Sequence, residues 1–189
     1  MPINLEFITN KVDTATQISC PFYYEGVSKE TAKKKVMFIG NSITIHEPLP
    51  SIGWTKKCGM AASDEEHDYV HLVFDHLLTL EKETSLCVFN LGQWEKDFTN
   101  TLKLLPFKEV IEDFKPDLVV VRLGENFNHE YIKKGIDPIL GFNDLINLVK
   151  TQTNNLIMTS LFWEYDVIDE AIEHVAKENN FKYVLLNDL

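Results

Sequence analysis

The sequence predicts a three-layer α/β/α domain around a central, mainly parallel five-stranded sheet. Three observations carry that prediction. Five short runs are apolar at consecutive positions, as strands covered on both faces are. The segments between them repeat apolar residues at three and four, the spacing of a one-sided helix. The two kinds of segment alternate from residue 36 onward, the order produced by crossovers above and below a parallel sheet.

"KVMFIG" is the first such run. Ser63 followed by Glu66 forms a capping-box signature and opens a helix with Val70, Val73, Phe74, Leu77 and Leu78 on one side. "SLCVFNLG" is the second strand, and "TLKLLPFKEVIEDFK" is helical in part, with Pro106 interrupting or restarting it. "PDLVVVRLG", started by Pro116 and closed by Gly124, is the strongest strand signal in the chain. Asp137 and Pro138 suit the cap and first position of a helix carrying Ile139, Phe142, Leu145, Ile146 and Val149. "NLIMTSLFW" is the fourth strand. Asp166 caps a helix with Ile168, Ala171, Ile172 and Val175 inward, and "KYVLLND" is the fifth strand. Residues 1–35 form an N-terminal extension and charged linker. In it "INLEFIT" and "PFYYEGV" suit an edge strand or hairpin, and "SKETAKKK" leads into the domain of residues 36–189.

Composition excludes several classes. The 44% hydrophobic and 25% charged content is that of a soluble globular protein. Eighteen basic against 29 acidic side chains give a net charge of −11. Nucleic acid and anionic membrane are therefore poor partners, because both need a basic face. Cys20, Cys58 and Cys87 are odd in number and contain no CxxC, so neither a disulfide framework nor a zinc site is expected, and a reducing compartment fits. The start, "MPINLEFITNKVDTATQ", has no basic segment leading into an apolar run, and no apolar stretch approaches the ~20 residues that span a bilayer. The expectation is a cytoplasmic protein that needs no cofactor and no metal. His67, His71 and Asp75 have metal-like spacing, but opposite the apolar stripe they read as solvated surface.

Parallel sheets bind ligands outside the carboxyl ends of their strands. Four exits are polar or aromatic: "GNSIT", "NLGQWE", "RLGENFN" and "FWEYD". Ser42 follows the first strand directly. At the start of a helix it would offer a hydroxyl nucleophile, its own backbone N–H and the favourable end of the dipole; the plainer reading is a helix cap. G-x-S-x-G, GxxxxGK[ST] and GxGxxG are all absent. Asn126 lies two residues past Gly124, where its amide would reach the space above the strand ends, although Gly-x-Asn alone is a turn. His46 follows Ser42 by four residues, and His129 follows the third exit. Trp94 and Trp163 follow strand exits and would hold an acyl chain or sugar ring; they and Trp54 suit core packing equally.

"VMFIGNSIT", the Asn-Leu-Gly turn and "LGEN" resemble the first three blocks of the SGNH (GDSL-type) hydrolases, and "NSITIHEPLPSIGW" and "GMAAS" resemble bacterial SGNH-like proteins. The likeness spans residues 36–189 and rests on order and placement. It implies a flavodoxin-like sheet and a serine esterase or acylhydrolase. Ser42 matches the nucleophile, which also gives a backbone N–H to the oxyanion. Asn90 and Gly92 fall in register with the second block, but Glu95 stands where the glycine donating the second N–H is usual, with Gly92 the alternative donor. Asn126 matches the side-chain donor. Asn41 replaces the more usual aspartate and, with His46, Trp94 and Trp163, is expected on the substrate. The family's base is a histidine in a late Asp-x-x-His block. Asp188 has no histidine after it, so the base is expected beyond Leu189. The implied substrate is a small-molecule or carbohydrate ester, a decorated carbohydrate first, with lipids and aryl esters open. Two other classes stay open: a non-catalytic ligand-binding module on the same fold, and a flavodoxin-like nucleotide or phosphate binder using "GNSIT".

Overall fold

The computed structural model describes residues 4–9 and 19–186, with side chains from residue 22. One sheet holds seven strands: β1 (Asn4–Thr9), β2 (Ser19–Gly26), β3 (Lys34–Gly40), β4 (Thr84–Asn90), β5 (Leu118–Arg122), β6 (Leu156–Thr159) and β7 (Lys182–Val184), in the order β1-β2-β4-β3-β5-β6-β7. The five predicted runs are β3 to β7, all mutually parallel. The sheet is nonetheless mixed and seven-stranded, not five-stranded. "PFYYEGV" pairs antiparallel with β4, Tyr23 opposite Val88, and β1 pairs antiparallel with β2. The extension thereby covers a sheet edge that would otherwise present unpaired N–H and C=O groups.

Among the parallel strands the order turns back between β3 and β5. The next crossover leaves β3 for β4 on one side, while β5 returns to the other, which opens a crevice above the carboxyl ends of β3 and β5. That crevice lies between Gly40 and Arg122, which are register partners.

Helices α3 (Leu105–Phe114), α5 (Pro138–Lys150) and α6 (Asp166–Glu178) cover one face over Phe89, Phe107, Phe114, Phe142, Met158 and Ile172. Helix α1 (Tyr69–Leu80) covers the other over Phe38, Val70, Phe74 and Val88. Single turns α2 (Gly92–Glu95) and α4 (His129–Lys133) follow the exits of β4 and β5. Burial on both faces, expected of all five strands, holds for β3 from Val36 on and for β4, whereas β5 and β6 alternate. Val119, Val121, Leu156 and Met158 are buried, but Leu118, Val120, Ile157 and Thr159 on the α1 side are half-buried.

Helix starts follow local chemistry. Asp137 accepts the Ile139 N–H and Pro138 takes the first position, as the sequence suggests. Pro106 sits in the first turn of α3, where a missing N–H removes no helical bond. Ser63 does not open α1. Residues Glu65–His67 form a 3-10 turn, and Asp68 caps α1 by accepting the His71 N–H. Asp166 is the first residue of α6 and makes no capping bond; Asp169 instead accepts the N–H groups of Leu161 and Tyr165.

His71 is buried, not on a solvated face. Its Nδ1 lies 2.7 Å from Asp68 Oδ1, and its Nε2 lies 3.2 Å from both the Tyr23 hydroxyl and Glu25 Oε2. Burial works against the imidazolium, but hydrogen bonds to Asp68 and Glu25 outweigh it, and the pKa is pushed up to about 10. The pKa of an unfolded histidine is about 6.5. The charge therefore stabilises the fold fully below pH 6.5, and the contribution is lost as pH rises through 10. Thermal unfolding from pH 7 to 10 is expected to show a decline in Tm that His71→Gln lacks. Parallel slopes for the two proteins would refute the buried imidazolium.

Candidate functional site

Past Gly40 the chain folds back at once. The Thr44 and Ile45 N–H groups donate to the Asn41 carbonyl, and the Ile43 N–H donates to Asn41 Oδ1. The turn is close enough that a Cβ on Gly40 would stand 1.7 Å from Thr44 Oγ1, so only glycine fits there. The turn does not continue into a helix, because residues 45–48 have no regular structure, so the expected helix dipole behind Ser42 is missing. Ser42 is half-buried. Its carbonyl accepts the Met60 N–H at 2.8 Å, while its N–H and hydroxyl bond to none of the described residues. Asn90 fixes the turn from β4, donating its amide to the Ile45 carbonyl at 2.7 Å.

Behind Ser42 lies a buried carboxylate. Glu95 is fully excluded from solvent. Its Oε1 accepts the Gly124 N–H at 2.5 Å and the Asn41 amide at 3.2 Å, and its Oε2 accepts the Asn126 amide at 2.7 Å. One side chain thus ties the residue before Ser42 to the exit of β5 and to Asn126. Gly124 makes this possible: its φ is +139°, and a Cβ there would meet Ile168 and Leu161 at 2.6 Å. Burial raises the Glu95 pKa, the Asn126 and Gly124 donors oppose it, and the balance sits at about 7. All three partners donate, so the network is that of the ionised carboxylate.

A second carboxylate sits beside it. Glu125 Oε1 accepts from Arg122 Nη2 at 2.6 Å and from the Phe162 N–H at 3.2 Å, and its Oε2 accepts the other Asn41 amide proton at 2.7 Å. Asn41 thereby spans both carboxylates, a supporting role and not the substrate contact expected of it. The sequence reading missed the Arg122–Glu125 pair and the side-chain role of Glu95. The available signal was charge placed where it cannot be exposed: an arginine at the end of the apolar run "LVVVR", and a glutamate between Trp94 and the buried Phe98.

The structure separates the remaining candidates. The Gly92 N–H donates to Asn90 Oδ1 at 2.8 Å, and the Glu95 N–H donates to the Leu91 carbonyl within α2. Neither backbone N–H is free for an oxyanion here; the second-block turn spends both on its own closure. Trp94 is fully buried and packs edge-on against Phe127, so it belongs to the core and not to a substrate surface. Trp163 is 62% exposed and stands edge-on to Phe162, itself 56% exposed, beyond β6. His46 is half-buried with Nδ1 2.5 Å from the Glu47 carbonyl. His129 lies against Tyr165, with ring centres 4.9 Å apart. No described histidine bonds to Ser42, and Asp188 lies outside the described residues. Cys58 and Cys87 are free and buried. No helix among the described residues is long and apolar enough to cross a membrane.

No protein-family model matches the chain, and no curated protein does. Solved structures do. An alpha/beta hydrolase enzyme from the metagenome of Lake Arreo, Spain, is similar with a TM-score of 0.54 and 19% identity, over 81% of this chain and 77% of that one. A thermostable esterase gives a TM-score of 0.46 at 10% identity, over 96% of this chain and 54% of that one. The acylaminoacyl peptidase of Pyrococcus horikoshii gives 0.35 at 12%, over 97% and 36%. The first of these likenesses establishes an α/β fold shared with a hydrolase.

Proposed function

We propose that the protein is a serine esterase or acylhydrolase of SGNH type, with Ser42 as nucleophile and Asn126 as oxyanion donor. One observation carries the reading: the Glu95 carboxylate holds the Asn126 amide at 2.7 Å and Asn41, the neighbour of Ser42, at 3.2 Å, above adjacent strands. Such a clamp fixes a donor relative to a nucleophile before substrate arrives, as electrostatic preorganisation requires. The Asn126 amide has one proton on Glu95 and one left to give.

The steps follow. Ser42 Oγ attacks the ester carbonyl as a base takes its proton, and the carbonyl oxygen becomes an oxyanion held by the Ser42 N–H and the Asn126 amide. Collapse expels the alcohol, protonated by that base, and water then cleaves the acyl-enzyme to the acid. The base in this reading is the late histidine that the SGNH resemblance implies. The parallel-strand order second-first-third-fourth-fifth is that of a flavodoxin-like sheet, which the SGNH reading requires. A nucleophile elbow after β5, as in enzymes with G-x-S-x-G, is disfavoured because that turn reads Gly124-Glu125-Asn126-Phe127-Asn128 and offers no nucleophile. The exposed Phe162–Trp163 pair suits the flat face of a sugar or aryl group, in keeping with a carbohydrate or small aryl ester.

The test is turnover of p-nitrophenyl acetate and of an acetylated oligosaccharide by the full-length protein. The reading expects release of acetate from both. Tight binding of either compound without release would make the protein a binding module. A thermal shift with flavin nucleotides, in the absence of turnover, would favour a nucleotide-binding role.

A further inference from the structure

The half-covered side of β5 and β6 contains a cavity of about 510 Å³ beside α1. Its size is within the range of small-molecule sites. Phe38, Val73, Val120, Ile157 and Phe162 form apolar walls. Arg122 lines the same cavity, is only 4% exposed, and has a buried Nη1 with no hydrogen-bond partner, because Glu125 is engaged at Nη2 alone. A buried donor left unmatched is costly, and native proteins rarely keep one. The acidic group in the wall, Asp68, is already committed to His71 and the Gly59 N–H.

We propose that this cavity binds a medium-chain aliphatic monocarboxylate, with the chain along Val120 and Ile157 and the carboxylate accepting from Arg122 Nη1. Apolar walls select an alkyl chain. One unpartnered guanidinium nitrogen, beside a Glu125 that already matches part of its charge, selects a single carboxylate over a phosphate, which would bring more charge and more acceptors than the cavity can meet. The inference uses neither the Ser42 hydroxyl nor the Asn126 amide, although the cavity shares Phe162 and Arg122, the partner of Glu125, with the site described above.

The experiment is calorimetric titration of the full-length Ser42→Ala protein with hexanoate, octanoate, decanoate and decanol, which reads binding without turnover. Affinity is expected to rise roughly fourfold per added methylene. Decanoate is expected to bind at least about tenfold more tightly than decanol, as for a hydrogen bond between charged groups. Val120→Trp, on the half-buried face of β5, fills the cavity and should weaken decanoate by about tenfold or more. Arg122→Met should bring decanoate and decanol together. Affinity that does not change with chain length, decanol equal to decanoate, or unchanged binding by Val120→Trp would each overturn the proposal. So would the absence of binding at millimolar acid, which would leave the cavity as a packing face for protein.

Discussion

Replacing Ser42 with alanine is expected to lower kcat for ester hydrolysis by about 10⁴–10⁶-fold while KM changes little, the pattern of a lost nucleophile. The fold should be unaffected, because the Ser42 hydroxyl bonds to none of the described residues and the turn is held by the Asn41 and Asn90 side chains. That separates the catalytic reading from the plain one. If Ser42 were a cap, alanine would cost about 1 kcal/mol of stability and leave kcat alone. Equal melting temperatures with lost turnover are expected; a kcat within tenfold of wild type would remove Ser42 from the mechanism.

The second large effect belongs to the Asn126–Glu95 pair. Asn126→Ala removes one oxyanion donor and should reduce kcat by about 10²–10³-fold, with a small change in KM. Glu95→Gln tests the clamp itself. A carboxylate can accept from Gly124, Asn41 and Asn126 together, whereas glutamine brings one oxygen and an NH₂ that faces other donors. At least one bond is lost, and kcat at pH 8 should fall by about tenfold or more. Protonation of Glu95 does the same to the wild type. With a pKa of about 7, the clamp weakens as pH falls through neutrality, so the acid limb of kcat should be steeper around pH 7 in the wild type than in Glu95→Gln, which keeps only the limb of the general base. Stability has the opposite trend. A carboxyl whose folded pKa is raised from 4.5 to about 7 holds its proton more tightly when folded, so its contribution is greatest below pH 4.5 and declines as pH rises to 7. Superimposable pH–rate profiles for Glu95→Gln and wild type would reduce Glu95 to a buried strut.

Much of the architecture is legible in the sequence because it depends on local rules. Five apolar runs gave β3 to β7, and Asp137-Pro138 gave the start of α5. Ser63 and Glu66 misled because a capping box can be satisfied by a short 3-10 turn, while the true cap, Asp68, is fixed by tertiary partners at Gly59 and His71. The same limit applies at the site. That Ser42 and Asn126 follow strand exits of one sheet is legible; that the two strands are neighbours comes from the β3–β5 pairing, and that a glutamate side chain joins them from partners 54 and 31 residues away. The place of Trp94 after a strand exit suits substrate contact and core packing equally, and the α2 turn settles it in the core against Phe127. His71 likewise left the polar face because the β2 strand brings Tyr23 and Glu25 over it, a contact no helical periodicity contains.

The whole reading reduces to a hydroxyl that forms a bond to carbon. Incubating the full-length protein with a fluorophosphonate and reading the adduct by peptide mass spectrometry tests this without knowledge of the substrate. A single phosphonylated site at Ser42, absent in Ser42→Ala and slowed in Asn126→Ala, is the predicted result. Labelling at another residue, or equal labelling of wild type and Ser42→Ala, would contradict it.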